Sequence, residues 1–247
     1  MTPEQKQLLI AIERHAIDDL DLLLGNGLNP CLPIDSKLPM QWLLEMYTRS
    51  THFSDCVRVL LKHGASLGDD LLRQVLLQDV DALTISIQKD MSAVHHRVNI
   101  RCAYTPLRGA SLLHVAAEYG LIESTKRLIA LGADVNCPAE VDEHGFNGQT
   151  PIFHTVNSAN NFNAPILTLL IEAGAKPDHR LPGIVWGRGF EWETICFDVS
   201  PISYAQLGLL PQMHRDELQI YQNIQTLMAA SGRAHPLVTN VPNAYLA

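Results

Sequence analysis

One stretch sets the frame for every other segment: GASLLHVAAEYGLIESTKRLIALGADVN, residues 109–136. Ser111 can offer its hydroxyl to an orphan backbone N–H at a helix start, and Leu113, Ala116 and Ala117 then fall on one face at helical spacing. Gly120 breaks that helix. Ile122, Leu128 and Ile129 give a second helix its apolar side, and Gly132 stands where a left-handed residue would end it.

SLLHVAA at 111–117, Gly120 and LGADVN at 131–136 resemble an ankyrin repeat. The family begins its first helix with T-P-L-H, and this copy keeps Leu113 and His114 but has Ser111 for Thr and Leu112 for Pro. The resemblance implies an L-shaped helix pair with a projecting β-turn or finger, and a surface used for binding. The weak consensus and long inserts resemble bacterial-type members.

Taken in order, other segments fit the same template. Residues 8–29 supply a first copy, with His15 where the inter-helix glycine would stand. A second begins near Leu38-Pro39 and ends at Gly64-Ala65-Ser66, its inter-helix segment Tyr47–Phe53 about five residues longer than the template. Asp69–Ile87 reads as a degenerate third copy without the G-A-D loop; Gly64 and Gly132 lie 68 residues apart, about twice the 33-residue period. His95–Tyr104 alternates in part and reads as an extended, locally basic finger.

Thr150-Pro151 restores the helix-start signal of a fifth copy, lengthened by SANNFN at 158–163, and a sixth runs from Ser200-Pro201 to Leu227. Ahead of it, 184–186 and 190–198 flank Gly187-Arg188-Gly189, which predicts a β-hairpin with a glycine-rich tip. The reading is an all-α ankyrin-repeat solenoid of stacked helix-turn-helix units with β-hairpin fingers, one domain over 1–247. Repeats fall at 4–35, 36–68, 69–108, 109–146, 147–199 and 200–232, with a tail at 233–247.

Composition narrows the function. A net charge of −8 disfavours sequence-independent nucleic-acid binding, which needs a basic footprint. No apolar run approaches the roughly 20 residues that cross a bilayer, and the first residues show no cleavage site, so a cytoplasmic monomer without membrane attachment is the expectation. Five scattered cysteines, Cys31, Cys56, Cys102, Cys137 and Cys196, form neither a disulfide framework nor a zinc cassette. None of the eleven histidines sits in a metal motif, and no nucleophile elbow, Walker loop or dinucleotide fingerprint is present. No cofactor, metal or catalytic residue is assigned. His114 and His154 read as structural, and His95-His96 as part of a solvated finger.

The remaining candidates are contact residues for a protein partner. The 180–199 hairpin carries Trp186, Arg188, Phe190, Glu191, Trp192 and Glu193, with aromatics of the kind that dominate interface energetics. Glu140, Asp142 and Glu143 lie in the preceding loop, and Tyr104 in the earlier finger. From Cys137 to Asp198 there are eight acidic residues against three basic, −5 of the total −8, which would make an acidic lip for a basic partner. A non-enzymatic adaptor, scaffold or regulator is the first reading, an inhibitor or immunity protein that occludes a toxin or enzyme the second, and an enzyme of unrecognised class the third.

Overall fold

The computed structural model describes residues 1–102, 107–189, 191, 193–210 and 213–233. Sequential helices pack against each other: α1 (Pro3–Arg14) on α2 (Ile17–Gly25), α3 (Pro39–Glu45) on α4 (Phe53–Lys62), and α5 (Asp70–Leu77) on α6 (Val80–Lys89). The pattern continues with α7 (Leu112–Glu118) on α8 (Ile122–Ala130), a 3-10 turn at Pro151–His154 on α9 (Ala164–Glu172), and α10 (Pro201–Gln206) on α11 (Glu217–Ala230). Pairs then stack on pairs: α1 meets α3, α2 meets α4, α5 meets α7, α6 meets α8, and α8 meets α9. The apolar faces therefore merge into one continuous core.

Local chemistry explains where helices start. Thr2 and Gln5 form a reciprocal capping box around Pro3. Asp69, Asp79 and Asp216 accept the N–H of Leu72, Ala82 and Gln219, satisfying donors that no helix can satisfy for itself. Leu8, Ile12, Leu60, Val75 and Leu83 face inward at helical spacing and are fully buried.

The units repeat at the level of single backbone bonds. An N–H reaches five residues back at Leu28→Leu23, Ala65→Leu60, Ala133→Leu128, Ala175→Leu170 and Arg233→Met228, closing α2, α4, α8, α9 and α11 alike. Between the helices of a pair the same reach recurs at Ala16→Ala11, Asp79→Gln74 and Leu121→Ala116. The residue that turns the chain there is left-handed each time, His15 at φ 52°, Gln78 at 54° and Gly120 at 71°. His15 thus adopts the glycine geometry its place in the template demands. The segment without the glycine loop still forms a full helix pair, α5 on α6.

Among the described residues four strands form two fingers. β1 (Arg97–Ile100) pairs antiparallel with β2 (Leu107–Ser111), with a register shift between Val98 and Ile100. β3 (Leu181–Trp186) pairs antiparallel with β4 (Thr194–Val199). The loop between them joins the fingers: Glu140 N–H donates to Arg108 O at 2.9 Å, and Asn147 N–H to Gly183 O at 2.8 Å. The fingers therefore make one bonded rim that runs from β1 to β4.

Three sequence expectations need correction. Thr150-Pro151 starts only a 3-10 turn, after which the Thr155 hydroxyl donates to Ile152 O at 2.8 Å. β4 begins at Thr194, so the second strand is shorter than the sequence run from 190 suggests. His95 closes a 3-10 turn, Met91–His95, ahead of the finger, while His96 bonds Asp69 at 2.7 Å. Tyr104, Phe190 and Trp192, and the tail beyond Arg233, lie outside the described residues.

Candidate functional site

A groove opens where the inter-helix turns meet the second finger, lined among others by Tyr47, Arg49, Glu118, His154, Asn157, Trp186, Tyr204 and Arg215. Its floor is a knot of charge. Glu118, the last residue of α7, accepts Arg49 Nη2 on one oxygen at 2.5 Å and His154 Nδ1 on the other at 2.8 Å. Arg49 also donates to Glu118 O at 3.0 Å, to Met46 O at 2.6 Å and to Thr48 O at 2.8 Å. Its cation lies 4.7 Å from the centre of the Tyr119 ring, which in turn stacks on Phe53 at 4.5 Å.

The knot ties three units together, since Arg49 comes from the turn after α3, Glu118 from α7 and His154 from the 3-10 turn. Burial alone would raise the Glu118 carboxyl, but Arg49 and then His154 outweigh it and hold the group down at about 2. The same pairing keeps Arg49 charged well above its ordinary range, against the desolvation that opposes it. Cys102 Sγ sits 3.2 Å from Arg49 Nη2 and 3.3 Å from Glu118 Oε1.

His114 lies directly behind. It is fully buried, closes the capping box with Ser111, and reaches Gln149 O at 2.7 Å, so it fastens the helix start to the next loop. Burial first, then His154, lowers its pKa to about 3 and keeps it neutral. Among the described residues no cluster of three or more His, Cys, Asp or Glu side chains could hold a metal ion. No helix among them is long and apolar enough to cross a membrane.

The residues singled out as an acidic lip divide into two groups. Asp142 faces inward: its carboxylate accepts the N–H groups of His144 and Phe146, the Asn147 amide and Arg188 Nη2 at 2.6 Å, which folds the loop around it. Asp142 is thus spent within the loop, while Arg188, its ion-pair partner, stays exposed. Asp198 is paired with Arg180, and Glu140 stands 3.9 Å from Arg108. Glu143, Glu191 and Glu193 remain exposed, Glu193 also accepting Gly189 N–H at 2.7 Å. Trp186 belongs to the groove instead, half-buried in its wall.

Arg49 and Glu118 escape sequence reasoning. Arg49 lies in an insertion with no periodicity, whereas Glu118 stands one helical turn after His114 on the inward face of α7, a placement that flags a carboxylate needing a partner.

Helix pairs thus stack on a common core, are closed by alike backbone bonds and are edged by bonded fingers. The ankyrin repeat family model matches residues 108–140, and the chain carries an ankyrin repeat there. The chain is also similar to an ADP-ribosylation factor GTPase-activating protein, AGD2, of Arabidopsis thaliana, 29% identical over 136 residues. That match takes in 52% of this chain and only 16% of the relative. Ankyrin repeats generally mediate protein–protein interaction and are generally non-enzymatic.

Proposed function

We propose that the chain is a non-enzymatic protein-binding module, an ankyrin solenoid of six repeats at the boundaries given above, whose groove and finger rim receive a basic protein partner. The ankyrin repeat at 108–140 supports the class of function. The observation that carries the placement is the groove itself: a rigid, internally paired floor from Arg49, Glu118 and His154, walled by Tyr47, Trp186 and Tyr204. A preformed surface of this kind loses little ordering entropy on association.

Exposed Glu143, Glu191 and Glu193 supply the negative rim, and Cys137–Asp198 holds most of the net charge. Such a field accelerates encounter with a positive partner and weakens with salt. The activity in the plant relative's name is a property of that protein and lends nothing to this chain.

Affinity capture from the native source tests the proposal. Replacing Phe190, Glu191 and Glu193 together by Ala, or reversing charge with Glu191→Lys and Glu193→Lys, is expected to weaken capture by about tenfold or more at low salt while the melting temperature stays nearly unchanged. Trp186→Ala is expected to weaken capture through the groove. Undiminished capture by all of these variants would contradict the proposal.

A further inference from the structure

Among the described residues β4 pairs only with β3, and its outer edge is defined by where the hairpin's backbone groups point. On the other side of the hairpin, Asn147 N–H bonds Gly183 O at 2.8 Å and Val185 N–H bonds Asn147 Oδ1 at 3.4 Å. A strand residue sends its N–H and C=O to the same side, so the backbone groups of Gly183 and Val185 point away from β4. Their cross-strand partners are Phe197 and Ile195. In an antiparallel pair these are the non-bonded positions, and the ladder between the strands is carried by Ile184 with Cys196 and Trp186 with Thr194. Ile195 and Phe197 therefore direct their own N–H and C=O outward, along the outer edge. Beyond the pairing with β3, no backbone hydrogen bond of Ile195 or Phe197 is found among the described residues.

The same two residues carry exposed apolar side chains, Ile195 at 42% and Phe197 at 69%. They share a face, two positions apart. Opposite Phe197 the strand has Gly183, whose missing side chain is replaced by the Phe146 ring: a Cβ there would come within 2.7 Å of it. Phe197 meets that ring edge to face, centroids 5.7 Å apart. The edge thus continues an apolar ridge, with no lysine or proline to blunt it. The exposed acids Glu191 and Glu193 stand just before its first residue.

We propose that β4 recruits its partner by strand addition: an extended segment with apolar side chains at alternate positions pairs antiparallel with Ile195–Phe197 and ends in basic residues that meet Glu191 and Glu193. Antiparallel addition is the slightly stronger pairing and sets the C-terminal end of the added segment beside these acids. The rim of fingers, already bonded from β1 to β4, gains one more strand. This rests on the reading of the chain as a protein-binding module, and deepens it by naming the mode of recognition.

The test uses the full chain, nitrogen-15 labelled, and the peptide Ac-Thr-Val-Thr-Val-Ser-Lys-Lys-amide. Before peptide is added, the Ile195 and Phe197 amides are expected to exchange freely while Thr194 and Cys196 are protected. With peptide, exchange at Ile195 and Phe197 should slow by about tenfold or more. Ile195→Pro removes an outward N–H without touching the ladder, and Phe197→Ser keeps the backbone and deletes the ring; both are expected to weaken binding with the hairpin intact by its amide shifts. Protection of both amides in the free protein would overturn the proposal, since a second copy or residues 234–247 would already cover the edge. So would absence of binding, binding that leaves both amides unchanged, or equal binding of a peptide ending in Glu-Glu. Capture of the native partner through the groove can succeed while this fails, so the two readings fall separately.

Discussion

Glu118 and Arg49 meet at 2.5 Å across 69 positions of sequence, with the arginine side chain 6% exposed and the glutamate 19%. Removing the carboxylate strands a buried cation and leaves His154 without its partner. Glu118→Ala is expected to cost about 3 kcal/mol or more in urea denaturation, because breaking one half of a buried pair leaves the other charge uncompensated. The exposed pair Lys126–Glu123 serves as the control, and its removal should cost about 0–1 kcal/mol.

Acid should unfold this protein through identifiable groups. His15 is 2% exposed, and burial first, then Arg49 and His52, depress its pKa from 6.5 to about 4. The unfolded chain therefore takes up the proton first, so the stability this neutral histidine contributes is full above about 6.5 and is lost as pH falls toward 4, a span of about 3 kcal/mol. Its Nε2 has no hydrogen-bond partner among the described residues, so a proton there would be buried without an acceptor from them. His114 acts in the same direction, and Glu118, held at about 2, adds a loss as pH falls from 4.5. His15→Asn keeps a residue that tolerates the left-handed turn and should flatten the slope of unfolding free energy between pH 7 and pH 4.5.

Gly120 combines a positive φ with close approach. A Cβ there would come 2.1 Å from Phe162 Cε1 and 2.9 Å from Asn163 Oδ1. Gly120→Ala is expected to destabilise by about 2 kcal/mol or more, through left-handed strain and forced movement of the Phe162 ring. Differential scanning calorimetry measures it. An unchanged melting temperature would show that the turn between α7 and α8 is looser than the packing indicates.

Asp142 organises its loop from within. Asp142→Ala removes the acceptor for His144 N–H, Phe146 N–H and Arg188, and should accelerate exchange of those two amides with only a small change in global stability. Asp142→Asn, which keeps one acceptor oxygen, is expected to fall between.

Legibility in the sequence differs from residue to residue. The central pair is written in Ser111, His114, Gly120 and Gly132, whose roles as cap, tie and turns depend on neighbours within a few positions. His15 is readable as a stand-in for a turn glycine, and its φ of 52° has that geometry. The second finger is visible from the alternation around Gly187-Arg188-Gly189. Arg49 is not, because its partner Glu118 lies two units away and nothing local marks the arginine as paired. Charge counting likewise cannot tell inward Asp142 from outward Glu143, since both contribute equally to a net charge and only the fold of the loop separates them.

Groove and rim together form the proposed binding surface. Hydrogen exchange on the full chain, alone and with the partner captured from its native source, tests that placement most directly. Slowed exchange is expected at the turn after α3, at the end of α7, at residues 154–159 and along β3 and β4. Protection confined to α4, α6, α8 and α9, with those segments unchanged, would contradict it.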